Sequence, residues 1–135
     1  MIVRSEEQKT GTCMDTFYEE DILGEGFQRT TLSLRDDYEG SAVATLVRRL
    51  SDTGNGRSVL YIHGFNDYFF QREMAWRLNE RGFHFYALDL RKYGRSWLSH
   101  QKFNDIRDIR AYFEEITLAL QMIREEGSRI TVLLG

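Results

Sequence analysis

Three short apolar runs, residues 58–62, 83–90 and 130–134, alternate with two stretches whose apolar residues recur every three or four positions. No other feature restricts the chain as strongly. A short run of Val, Leu, Ile, Tyr and Phe without polar alternation is the pattern of a strand buried on both faces. After the first run, Phe70, Met74, Ala75 and Leu78 fall on one helical face, with Asn66 or Asp67 as the expected N-cap and Gly82 as the left-handed residue that ends the helix. After the second, a helix is expected from near Asp105 to Gly127, its stripe made of Ile109, Tyr112, Phe113, Ile116, Leu120 and Ile123. Helices of this length between buried strands act as right-handed crossovers in a parallel sheet.

Upstream, residues 27–34 and 42–50 alternate in the manner of strands, with Asp36, Asp37 and Gly40 as turn formers between them. Residues 51–57 form a second turn cluster. The expected fold class is therefore α/β: an N-terminal antiparallel hairpin plus three parallel strands with crossover helices, in three layers α/β/α. Residues 1–26 show no sustained period and read as a polar lead-in, so one domain is expected over residues 27–135.

Composition narrows the function. With 41% hydrophobic and 29% charged residues the chain has the balance of a globular domain. A net charge of −3, with Arg residues interleaved among Asp and Glu, supplies no basic face for nucleic acid. No apolar run approaches the ~20 residues that span a bilayer, and the polar residues 1–9 do not form a secretion signal, so a cytoplasmic address is expected. The single cysteine, Cys13, has no Cys or His at metal-ligand spacing and reads as a free thiol.

Ligands of parallel α/β sheets gather at the carboxyl ends of the strands. Here the first end carries His63-Gly64-Phe65-Asn66-Asp67-Tyr68-Phe69-Phe70-Gln71, the second carries Asp89-Leu90-Arg91-Lys92-Tyr93-Gly94-Arg95-Ser96, and the third is Gly135. Taken in this order, between the hairpin and the third strand, these loops resemble the α/β-hydrolase superfamily, in its serine aminopeptidase S33 or monoglyceride-lipase-like branch. The resemblance spans residues 27–135 and the N-terminal half of such a domain. It implies a serine hydrolase that cleaves carboxylic esters or amides through an acyl-serine intermediate, with a small-molecule substrate and no metal or cofactor. It also implies that the backbone N–H of Phe65 is one oxyanion-hole donor, that His63 and Gly64 support that loop, and that Phe65, Asn66 and Tyr68 contact substrate. A glycine at 64 suits this role, since without a Cβ the backbone can approach a ligand closely.

Other residues are open to a chemical reading but fit it less well. His63 could be taken for a general base, yet in the resembling family this histidine shapes the oxyanion loop and the base arrives late in the chain. His84 lies in a strand and His100 in a loop, and neither accompanies a nucleophile on a strand-turn-helix corner. Asp89 precedes the place of the nucleophile, whereas the triad order is Ser, then acid, then His. It is expected instead to accept N–H bonds around Tyr93 and Gly94. Arg91, Lys92 and Arg95 read as a solvated loop or as the frame of a substrate entrance. Phe69 and Phe70 read as core or as pocket lining.

Residues 130–134 followed by Gly135 resemble the strand and first glycine of a Gly-x-Ser-x-Gly elbow, whose serine would come two residues later. Ser96 follows Gly94 at the right distance but precedes Trp97 and Leu98, with no strand before it. These 135 residues alone are therefore expected to be inactive, with the edge 130–134 open to a C-terminal half or to a second copy. A non-catalytic binding or interaction module derived from an α/β-hydrolase is the alternative. A nucleotide binder is disfavoured, because no Gly-x-Gly-x-x-Gly follows the first buried run.

Overall fold

The computed structural model describes residues 16–135; Cys13 and most of the polar lead-in lie outside the described residues. Its elements are β1 (Glu19–Glu20), β2 (Gln28–Ser33), β3 (Val43–Arg49), β4 (Arg57–Ile62), α1 (Arg72–Glu80), β5 (His84–Asp89), α2 (Tyr112–Glu125) and β6 (Ile130–Leu134), with 3-10 turns at Gly94–Ser96 and Ile109–Ala111. All six strands form one sheet in the order β1-β2-β3-β5-β4-β6. The β2–β3 hairpin is antiparallel, β3 joins β5 antiparallel, and β5, β4 and β6 run parallel. The expected α/β architecture is thus present, as an open sheet with an antiparallel flank.

Successive residues of a strand face opposite sides of a sheet, and two cores follow from that. On one side, Leu46, Leu60, Tyr86 and Leu88 are covered by Ala119 and Ile123 of α2. On the other, Val47, Val59, Phe85 and Ala87 pack with Phe27, Phe69 and Ala75 of α1. One crossover helix therefore lies on each face, and each large side chain so buried contributes roughly 1.5–3 kcal/mol.

Both helices start later than their periodicity indicates. α1 begins at Arg72, with Gln71 at its N-cap and no side-chain cap bond. Asn66 and Asp67 are engaged elsewhere: Asn66 sits in a turn at φ 56, and Asp67 Oδ1 accepts the N–H of Tyr68 at 2.8 Å. Phe70 accordingly precedes the helix and is exposed. In the second crossover, Asp108 accepts the N–H of Arg110 and opens a 3-10 turn, and α2 proper starts at Tyr112. Ile109 and Phe113 point to solvent, while Glu115 takes a fully buried place on the helix. Gly82 ends α1 at φ 84, as expected.

Two further features bear on the site. Within residues 16–26, β1 pairs with β2 and Asp21 is buried, its N–H bonded to the carbonyl of Phe27. At the far edge, Ile130, Val132, Leu133 and Leu134 of β6 are exposed. Among the described residues, no helix is long and apolar enough to cross a membrane.

Candidate functional site

The register of the parallel strands decides which chain segments meet at their carboxyl ends. Tyr61 of β4 pairs with Leu134 of β6, and Ile62 pairs with Leu88 of β5. His63, Gly64 and Phe65 therefore leave the sheet beside Gly135, and a Cβ built on Gly135 would lie 3.5 Å from the carbonyl oxygen of Ile62. On the other side of β4, Asp89 ends β5.

The loop after β4 is open. Phe65 is 82% exposed, and a Cβ at Gly64 would meet nothing within 4 Å. Phe65 and Asn66 are the central pair of a turn, and the positive φ of Asn66 at the third turn position is that of a type II turn. Tyr68 is half-exposed, its ring 5.4 Å from that of Phe70. Phe69 alone turns inward, against Phe27, Tyr61 and Phe85.

His63 is buried, and both of its ring nitrogens are engaged. Nε2 accepts the N–H of Leu90 at 3.1 Å, and Nδ1 lies 2.8 Å from the carbonyl oxygen of Gly64. The tautomer protonated at Nδ1 satisfies both bonds and leaves no lone pair for a base. The ring also packs on Tyr93 at 4.6 Å.

The loop after β5 differs from its expected form. Arg91, Lys92 and Arg95 are neither solvated nor at an entrance; all three are buried ion-pair donors. Arg91, 4% exposed, donates to Glu115 at 2.7 Å, to Glu114 at 3.1 Å and to the carbonyl of Ala111 at 3.0 Å. Lys92, 1% exposed, lies 2.7 Å from Asp37 and 2.6 Å from Glu39. Burial would lower its pKa, but these bonds outweigh burial and hold the ammonium above its usual value. Arg95 spans Asp21 at 2.7 Å and Asp89 at 2.9 Å. Burial likewise raises the Asp21 carboxyl, yet the bonds from Arg95 and the Leu23 N–H prevail and keep it below the ordinary carboxylate range.

Asp89 accepts a backbone N–H bond from its own loop, at Arg95 just after Tyr93 and Gly94, at 3.1 Å, and a second from Phe69 of the loop after β4 at 3.0 Å. Ser96 is fully buried and donates to the carbonyl of Asp89 at 2.6 Å, so it cannot meet a substrate. His84 accepts the N–H of Ser51, and His100 is exposed beside the carbonyl of Ser41. A cleft of about 490 Å³ lined by Arg49, Ser51, Trp76 and Asn79 opens at the opposite end of the sheet, beyond the start of β5. Among the described residues, no group of three or more His, Cys, Asp or Glu is placed to hold a metal ion.

No family model matches the chain, and no curated protein matches it in sequence. Its likeness is to solved folds. A highly thermostable carboxyl esterase from Bacillus coagulans, in complex with glycerol, superposes with a TM-score of 0.65 at 18% identity, over 79% of this chain and 36% of that one. DcsB in complex with its substrate analogue superposes with a TM-score of 0.55 at 20% identity, over 78% of this chain and 36% of that one. The chain thus spans 36% of each of these proteins. What it shares with them is the fold, a partial α/β-hydrolase-like fold over 79% and 78% of this chain.

Proposed function

We propose that residues 27–135 are the N-terminal half of a serine hydrolase domain, similar to the S33 or monoglyceride-lipase-like branch, that cleaves carboxylic esters or amides through an acyl-serine intermediate. The N–H of Phe65 is the first oxyanion donor, His63 and Gly64 hold its loop, and Phe65, Asn66 and Tyr68 face the substrate. A nucleophile following Gly135 completes the site, and further strands add to the open edge of β6. These 135 residues have no elbow serine and do not catalyse alone. One observation carries the reading: β4 and β6 are adjacent and parallel, so Phe65 and Gly135 leave the sheet side by side. An acyl-serine enzyme needs that corner, because a tetrahedral oxyanion must lie within reach of both the nucleophile and a fixed N–H.

Two measurements test the proposal. A fluorophosphonate probe is expected to label no serine of the 135-residue protein, and labelling of Ser96 or any other overturns its inactivity. The reading frame extended past Gly135 is expected to supply the serine and to turn over p-nitrophenyl butyrate. There, Phe65→Pro removes the N–H at a turn position that proline favours, whereas Phe65→Ala keeps it. The proline variant should lose roughly 10²–10³-fold in kcat and the alanine variant only a few-fold. Equal losses in the two would exclude the Phe65 amide as a donor.

A further inference from the structure

The open loop after β4 is held chiefly by residues that follow β5. Besides the bond from Leu90 to His63, Asn104 Nδ2 donates to Asn66 Oδ1 at 3.0 Å. Phe69 is gripped on both sides of its backbone. Its N–H goes to Asp89 Oδ1 at 3.0 Å, and its carbonyl accepts from Arg95 Nη1 at 2.8 Å.

Arg95 is itself anchored from the segment ahead of β2. Its Nε and Nη2 donate to the two oxygens of Asp21 at 2.7 and 2.9 Å, across 74 residues of sequence. The side chains of Asp21 and Asp89 are fully buried, and that of Arg95 is 8% exposed. Such a buried ionic group stabilises a fold no better than apolar residues of the same volume would, because each charge must leave water. Its directional bonds do something that apolar residues cannot: a planar guanidinium clamped by two carboxylates can occupy only one orientation. Here that orientation aims Nη1 at the Phe69 carbonyl.

We propose that Arg95, anchored by Asp21, is a positioning residue for the Phe65 amide, so that the segment ahead of β2 sets the geometry of the loop after β4. This inference rests on the reading of Phe65 as an oxyanion donor. Residue-resolved amide exchange tests it in Asp21→Asn and in Arg95→Lys, the latter keeping a cation between the carboxylates if the former does not fold. The Phe69 amide, whose N–H is bonded to Asp89, should exchange at least ~10-fold faster, while those of Val47 and Phe85 keep their rates, as local opening requires. Equal acceleration across loop and core would reduce the Asp21–Arg95–Asp89 group to a stabilising role, and no acceleration in either variant would also overturn the proposal. In the ester-competent protein the same variants should lower kcat about 10-fold with KM held, since misplacing a fixed donor weakens transition-state binding alone. If loop exchange accelerates but Phe65→Pro leaves turnover intact, the anchor stands and the oxyanion reading falls.

Discussion

The two loops at the carboxyl end of the sheet reach order by opposite means. The loop after β5 places three cations within five residues, and each ties it to a different part of the fold: Arg91 to α2, Lys92 to the β2–β3 turn, and Arg95 to the segment ahead of β2. The loop after β4 exposes Gly64, Phe65 and Asn66 and is held by bonds that its neighbour supplies. A backbone N–H that is to meet a ligand must stay unpaired and uncovered, so a loop built for that purpose cannot be made rigid by its own burial. Rigidity at one strand end is thus lent by a buried ionic hub at the next.

The largest effect is expected at the hub. Arg91→Met keeps the volume of the side chain but leaves the fully buried Glu115 carboxylate without its guanidinium and frees the start of α2. Removing one partner of a buried pair costs about 3–5 kcal/mol. Domains of this kind have roughly 5–15 kcal/mol in total, so the urea midpoint should fall by about a fifth or more at unchanged slope. A loss below about 0.5 kcal/mol, the level of an ordinary surface substitution, would mean that the loop after β5 is no better anchored than its neighbour.

The hub was also the part least legible in the sequence. The strands could be read because their signal is local: 58–62, 83–90 and 130–134 are mostly apolar, and the hairpin alternates. The loops at the strand ends could be placed for the same reason. The ionic partners could not, because Arg95 meets Asp21 across 74 residues and Lys92 meets Glu39 across 53, distances at which charge spacing carries no information. Locally, Arg91 and Lys92 look like any solvated basic pair. One signal was available: Asp89 closes an otherwise apolar strand, and a carboxylate buried there requires partners. The late start of α1 was hidden similarly, since Asn66 and Asp67 have the chemistry of caps and are diverted by a turn and by Asn104.

A smaller effect separates the two loops at their glycines. Gly94 stands at φ 45, and a Cβ there would lie 2.5 Å from Cβ of Tyr68 and 2.7 Å from Oδ2 of Asp89. Neither neighbour can swing away, because one is the root of its side chain and the other is held by Arg95. Left-handed strain and overpacking together should make Gly94→Ala destabilising by about 2–3 kcal/mol in thermal or urea unfolding. The variant should also shift the amide resonances of Tyr68 and Phe69, since the push falls directly on the loop after β4.

Gly64→Ala sharpens the contrast, because here the fold asks nothing of the glycine. Its φ is not in the left-handed region, and the added methyl meets open space. Stability should change by less than about 0.5 kcal/mol, with a slight gain if the unfolded chain becomes stiffer. A glycine that neither φ nor packing requires leaves room for a group that approaches from outside. Under the hydrolase proposal that is the acyl group, and a methyl beside the Phe65 N–H would hold its carbonyl oxygen away from the donor. Turnover in the ester-competent protein should then drop at least ~10-fold while the unfolding curve stays put. Destabilisation on the scale of Gly94→Ala would mean that the loop is packed rather than open, and unchanged turnover would remove Gly64 from any site at this end of the sheet.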